Sequence, residues 1–231
     1  MGDGQAEAPG GSQGGHRPPP FLNRRVPLWL GRCDYAVAKR AVLAWHYSHL
    51  MPASPTDLYA VFEHGEFKGA ILFGPGGAGV SAFGRRFGVA RIDVRELTRV
   101  ALTSHDTPVS RIVAIAIKLL RKARSNVRLL ISYADPKEGH HGGIYQAGGW
   151  TYSGVSRTSH PDMVIHGVRQ HARSVSHRYG KNGLAYIRSH VDPTAFYVED
   201  PPKHRYLLAL DPTIKNEVSA MSMSYPKAHK K

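Results

Sequence analysis

Residues Glu96–Gly154 read ELTRVALTSHDTPVSRIVAIAIKLLRKARSNVRLLISYADPKEGHHGGIYQAGGWTYSG. Glu96–Leu102 is rich in β-branched and apolar residues and predicts a strand. Thr103–Pro108 is a turn of Thr, Ser, Asp and Pro. Ser110 is placed to cap a helix, and Ile112, Val113, Ile115, Ala116, Leu119 and Leu120 then recur at helical spacing. That helix ends in Lys118, Arg121, Lys122 and Arg124, the sign favoured at the negative end of its dipole. Arg128–Ser132 is short, apolar and bounded by turn residues, as a buried strand is. In open α/β sheets ligands sit at the C-terminal edge of such strands. Tyr133, Asp135, His140, His141 and Tyr145 are carried to that edge.

Working outward, Asp34 caps an expected helix that runs to His46. Its apolar face is Tyr35, Val37, Ala38, Ala41, Val42 and Trp45, and it leads into His46-Tyr47-Ser48-His49, with Pro52 marking a stop. Asp57–Gly74 reads as a β-hairpin around His64-Gly65-Glu66. The following Gly74–Gly79 lacks the Lys and Ser/Thr of a phosphate-binding loop and reads as a flexible connection. Residues 162–177 are polar, rich in His and Arg, and of no definite structure. Leu184–Val191 predicts a short helix and His204–Leu210 a closing strand. The Gly/Pro-rich residues 1–20 predict a disordered leader, 21–211 a single domain, and 212–231 a flexible basic tail. The fold class expected is α+β (mixed α/β), a central mixed sheet flanked by helices.

Composition narrows the partner. The chain has 231 residues, with 31 Lys and Arg against 17 Asp and Glu, for a formal charge of +14. A chain this basic is expected to meet a polyanion, because neutralising phosphates dominates nucleic-acid affinity. No apolar run approaches the roughly 20 residues that cross a bilayer, and no basic-then-apolar leader is present. A soluble, cytoplasmic protein is expected. Cys33 stands alone, so no intrachain disulfide or thiolate cage can form.

Several residue groups could carry chemistry. His46, Tyr47 and His49, with Asp135, His140, His141 and Tyr145, offer the N and O ligands that suit non-haem iron, zinc or manganese. The same residues read equally as a helix-end pair, an Asp-Pro turn and a mobile basic loop. Arg99 lies in an apolar strand and needs a partner, Glu96 or an acidic ligand. Ser110 and the amides after it offer a helix N-terminus for an anion, or simple capping. Tyr145, Trp150 and Tyr152 could stack an extruded base, although Trp150 reads more simply as core. Hydrolase elbows, dinucleotide fingerprints and Walker motifs are absent.

One ordered string of motifs resembles a known family. It comprises His46-Tyr47-Ser48, Phe73-Gly74-Pro75, Glu96-Leu97-Thr98-Arg99, Ser110-Arg111, Ser132-Tyr133-Ala134-Asp135-Pro136, Gly139-His140, Tyr145-Gln146-Ala147 and Trp150. Over 34–154 the chain resembles the phage Mom-type DNA-modification proteins, with a weaker echo in 204–210. The resemblance implies an acetyltransferase-like (GNAT) fold, in which a central strand splays from its neighbour and an acyl carrier lies across the helix start near Ser110. It implies a phage or prophage enzyme that converts adenine in double-stranded DNA to N6-carbamoylmethyl-adenine and so protects it from restriction. It further implies an iron centre on His46, Tyr47 and Asp135, with His49, His140 or His141 completing the shell. Arg99, Ser110 and Tyr145 become candidates for holding the cosubstrate or for catalysis. The donor it suggests is acetyl-coenzyme A or another small molecule, yet 102–110 carries no complete diphosphate-binding signature. The leader and the 160–180 stretch lie outside the matched motifs. The alternatives are an N-acetyltransferase for a small-molecule or protein amine, and a DNA-binding module without catalysis.

Overall fold

The structure, a computed structural model, describes residues 27–156, 161–181, 183–198 and 201–227. The expected leader lies outside the described residues. Strand β1 (Leu28–Arg32) leads to helix α1 (Tyr35–Trp45), whose N-cap Asp34 accepts the Val37 amide at 2.8 Å. Strands β2 (Asp57–Glu63) and β3 (Glu66–Gly74) form the hairpin. His64 (φ 52°) and Gly65 (φ 83°) alone make its turn, the two left-handed residues that a two-residue hairpin needs. Glu66 therefore belongs to β3 and not to the turn.

Helix α2 (Ala78–Arg85) precedes strand β4 (Val94–Leu102), helix α3 (Val109–Ala123) and strand β5 (Leu129–Ala134). Helix α4 (Gly143–Ala147) and strand β6 (Thr151–Val155) follow. A separate piece comprises strands β7 (Asp162–Ile165) and β8 (Val168–Gln170), helices α5 (Ala172–Tyr179) and α6 (Leu184–His190), and strand β9 (Phe196–Val198). Strand β10 (His204–Ala209) and helix α7 (Lys215–Ala220) close the described chain.

Seven strands form one mixed sheet in the order β1-β2-β3-β4-β5-β10-β6, and β8-β7-β9 form a second, three-stranded sheet. Among the described residues only β4 and β5 run parallel; the other pairs are antiparallel. Alternation along β3 shows how both faces of the large sheet are covered. Ile71 and Phe73 pack with Ile112, Val113, Ala116 and Leu120 of α3, while Ala70 and Leu72 pack with Ala38, Ala41 and Val42 of α1. The mixed α+β fold expected from the sequence is the fold found. Among the described residues no helix is long and apolar enough to cross a membrane.

Four local expectations are corrected. Ser110 does not cap α3: the N-cap is Pro108, without a side-chain bond, and Ser110 sits in the first turn. The glycine-rich connection is partly helical, since α2 begins at Ala78. Tyr35 and Trp45 do not join the buried face of α1 and are exposed. Residues 212–220 are not a flexible tail. A 3-10 turn (Pro212–Ile214) and α7 bury Ile214 and Val218 against Leu129, Ile131 and Leu207.

Candidate active site

β4 and β5 pair from Val94/Leu129 as far as Leu97/Ser132 and then part. Beyond that point β4 stays with β3 as far as Leu102, and β5 stays with β10, where His204 faces Ala134. The wedge between them is a cavity of about 640 Å³. Thr98 and Arg99 line one wall, Tyr133 and Asp135 the other. His46 and Tyr47, from the end of α1, and His140 and Tyr145, from the segment after β5, line the rest with the residues around them.

Two local devices open the wedge. Leu72 pairs with Arg99 whereas Phe73 pairs with Leu97, so Thr98 is the extra residue of a β-bulge, which bends a strand and re-aims its side chains. Thr98 Oγ1 donates to the Leu72 carbonyl at 3.0 Å and holds the bulge. At the apex, Ser132 Oγ lies 2.8 Å from the Leu97 carbonyl and 2.8 Å from the Tyr145 hydroxyl. The carbonyl can only accept, so it takes the serine proton, and Tyr145 must donate to Ser132 Oγ. What Tyr145 offers the cavity is an acceptor lone pair. Burial pushes its phenol up to about 12, so it is neutral near pH 7.

His46 is the buried C-cap of α1, its amide bonded to the Val42 carbonyl. Its Nδ1 accepts the Ser48 backbone N–H at 3.1 Å and lies 2.8 Å from Ser48 Oγ. An acceptor Nδ1 puts the proton of the neutral ring on Nε2. Burial, then the charge of Arg99, then His140, His49 and Lys203 hold its pKa down to about 4, so the ring is neutral. The Tyr47 ring packs against those of His46 and His140, with centroids 4.3 Å and 5.4 Å away. Its phenol is half-exposed and shifted upward, chiefly by burial.

Asp135 caps the short turn Pro136–Glu138 through Oδ1, which accepts the Lys137 amide at 3.1 Å, and it places Oδ2 2.8 Å from Lys203 Nζ. Gly142 shapes the next bend at φ 83°, where a Cβ would meet the Tyr206 ring at 2.3 Å. Arg99 bonds the carbonyls of Leu50 (3.1 Å) and Thr98 (2.7 Å). Those carbonyls take its Nε and one Nη1 proton, and among the described residues it makes no ion pair with Glu96.

The structure thus brings His46, Tyr47, Arg99, Asp135, His140, His141 and Tyr145 to one cavity. It leaves out Ser110, behind the lining residue Val109, and His49, whose Nδ1 bonds the Leu43 carbonyl at 2.8 Å. Three contributors were not singled out in the sequence. Lys203 pairs with Asp135 because the β5/β10 register sets it one residue beyond His204. His105 lines the cavity with a buried Nδ1 that has no partner among the described residues. Thr98 makes the bulge.

Two observations bear on cofactors. The amides of Asp106 and Thr107, just before α3, both donate to the buried Glu63 carboxylate at 2.7 and 2.9 Å. The turn where an anion would meet the helix is thereby filled by the chain's own carboxylate, whose pKa the Thr107 side chain and these amides hold down to about 2. For a metal, the donors on His46, Tyr47 and Asp135 do not fit as arranged. A metal-bound imidazole normally donates its second ring N–H outward, but here Nδ1 accepts one, and Asp135 already faces the Lys203 ammonium. Among the described residues, the one group of three His, Cys, Asp or Glu with converging ligand atoms is Glu63, His64 and Asp106, none of which lines the cavity.

The large sheet is mixed, and its cavity opens where the two parallel strands part. The profile of the Mom protein family matches residues 27–227, and the chain belongs to that family. No curated protein matches it. Among solved structures, a Bacillus subtilis acetyltransferase in complex with CoA aligns at 12% identity over 79% of this chain and 97% of its own, with a TM-score of 0.43. A GNAT family acetyltransferase from Elizabethkingia anophelis, with acetyl-CoA bound, aligns at 9% identity over 80% and 100%, with a TM-score of 0.43. A probable acetyltransferase of the GNAT family from Chromobacterium violaceum aligns at 12% identity over 79% and 83%, with a TM-score of 0.44.

Proposed function

We propose that this chain is a group transferase that places a carbamoylmethyl group on N6 of adenine in double-stranded DNA, shielding the DNA from restriction. The observation that carries this reading is the cavity itself. Its neutral His46, half-exposed Tyr47 ring and Asp135 carboxylate match a purine edge and face in a chain that belongs to the Mom family. N6 is paired inside a duplex, so the base must leave the stack to be reached.

Each residue then has a defined task. The Tyr47 ring supports the base face. His46 Nε2–H donates to a ring nitrogen. Asp135, held by Lys203, accepts an N6–H hydrogen bond and then the proton, as N6 bonds the methylene carbon of the donor and the donor's leaving group departs with the bonding pair. The carbamoyl end of the donor fits the opposite wall, its oxygen toward Arg99 and its NH₂ toward the acceptor lone pair of Tyr145. Ser110, outside the lining, is given no role. Iron, which the resemblance implies, enters no step, because His46 Nδ1 accepts a hydrogen bond where a metal-bound ring would donate one and Asp135 is paired with Lys203.

Mass spectrometry of nucleosides from plasmid DNA of cells expressing the chain tests the proposal. The expected product is a deoxyadenosine heavier by a carbamoylmethyl group, present with the wild type and absent with Asp135→Ala. Ordinary deoxyadenosine from the wild type, together with acetylation of an added small amine, would overturn it in favour of an N-acetyltransferase.

A further inference from the structure

The piece between β6 and β10 leaves the large sheet at Val155 and returns at His204. Those two residues pair with each other, and His204 also pairs with Ala134 at the end of β5. The insert therefore springs from the same sheet edge as the cavity. It has a small core of its own, Met163, Ile165, Val175, Ile187 and Ala195. Val175 turns one side of α5 into that core, which sends Ser174, His177 and Arg178 outward.

Those three residues and Gln170 line a groove of about 480 Å³ on the insert. Its lining offers hydrogen-bond donors and no carboxylate. The acids of 161–198 are Asp162 and Asp192, and both are committed internally. Asp162 accepts Arg169 Nε at 2.8 Å; the buried Asp192 accepts the amides of His166 (2.6 Å) and Thr194 (2.8 Å). Arg178 makes no ion pair among the described residues, and Lys181 stands over the Tyr186 ring 5.0 Å from its centroid. Among the described residues Arg178 and Lys181 have no carboxylate partner, and donors around such a guanidinium suit phosphate oxygens.

We infer that this groove grips the phosphate backbone of duplex DNA beside the cavity, fixing register while the cavity holds the extruded base. The inference rests on the DNA reading above. Backbone contacts of this kind position a protein without reading sequence, and each neutralised phosphate adds close to one power to the salt dependence of binding.

Fluorescence anisotropy of a labelled duplex, titrated with the full chain at several salt concentrations, tests it. Arg178→Gln is expected to weaken binding to duplexes of unrelated sequence alike and to reduce the slope of log K against log salt by about 1. Arg121→Gln removes the same charge from the last turn of α3, remote from the groove, and is expected to leave both quantities unchanged. A wild-type slope in Arg178→Gln, or an equal loss in Arg121→Gln, would overturn the groove assignment while the DNA reading stands. A wild type that binds no DNA would overturn both. Circular dichroism melts of both variants exclude misfolding as the cause.

Discussion

The tautomer assigned to His46 has a consequence for stability that can be measured without substrate. Its ring titrates near 6.5 in an unfolded chain and about 4 in the folded one. Below pH 6.5 the unfolded chain gains a proton that the folded chain cannot take, so stability falls as pH drops from 6.5 to about 4 and is unaffected above. A gap of about 2.5 pH units at about 1.4 kcal/mol each makes the full effect about 3 kcal/mol. His46→Asn removes the titration and keeps a carbonyl oxygen where Nδ1 accepts the Ser48 N–H. Urea unfolding at pH 7.5 and 4.5 is expected to show a drop about 2–3 kcal/mol smaller in the variant. In a chain of this size the difference appears in thermal melts as about 4–12 °C. The comparison is clean because the Glu63 carboxylate, held at about 2 against an ordinary 4.5, loses its contribution only below that window. Parallel losses in wild type and variant would refute the lowered pKa and the neutral ring.

Four further outcomes are expected. Asp135→Ala abolishes modification while DNA affinity, measured by anisotropy, stays near wild type; a large loss of binding in the folded variant would remove Asp135 from the chemistry. Glu63→Gln costs roughly 1–3 kcal/mol in urea unfolding at pH 7, because a buried charge-assisted pair of amide bonds is broken, and it makes the acid-induced loss below pH 4.5 smaller, leaving the share of Asp192 and Asp211. Gly142→Ala strains a left-handed residue and drives a methyl into Tyr206, costing on the order of 1–3 kcal/mol and lowering modification; an undiminished modification rate would show the loop re-forms. Elemental analysis of purified protein is expected to find iron well below one per chain. One iron per chain in the wild type that is lost in both His46→Ala and Asp135→Ala would refute the donor commitments described above.

Legibility followed the range of the interactions. The Asp34 cap and the separate elements β4, α3 and β5 rest on neighbours a few residues apart, and residue order reveals them, whereas the hairpin turn excludes the Glu66 that residue order puts in it. Ser110 misled because Pro108, fixed at a helix-compatible φ, starts α3 two residues earlier. α2 hid behind Gly77, Gly79 and Gly84, and α7 behind a Ser- and Lys-rich stretch that buries little beyond Ile214 and Val218. Of the motif string, His46, Arg99, Asp135 and Tyr145 line one cavity and Ser110 does not. The pairing of Lys203 with Asp135, the filling of the α3 turn by Glu63 and the Ser48 bond to His46 decide what those residues can do. The first two require knowing which strands and loops meet across long stretches of chain.

The position of β10 also bears on when the protein can act. β10 is a late segment, yet it sits between β5 and β6, strands made far earlier. During synthesis β5 presents an open edge until residues 204–209 leave the ribosome, and open edges invite pairing with other chains. The residue that completes the Asp135 wall is delivered by the same late segment. A chain that stops before β10 therefore lacks both a closed sheet and the Lys203 side of the cavity wall.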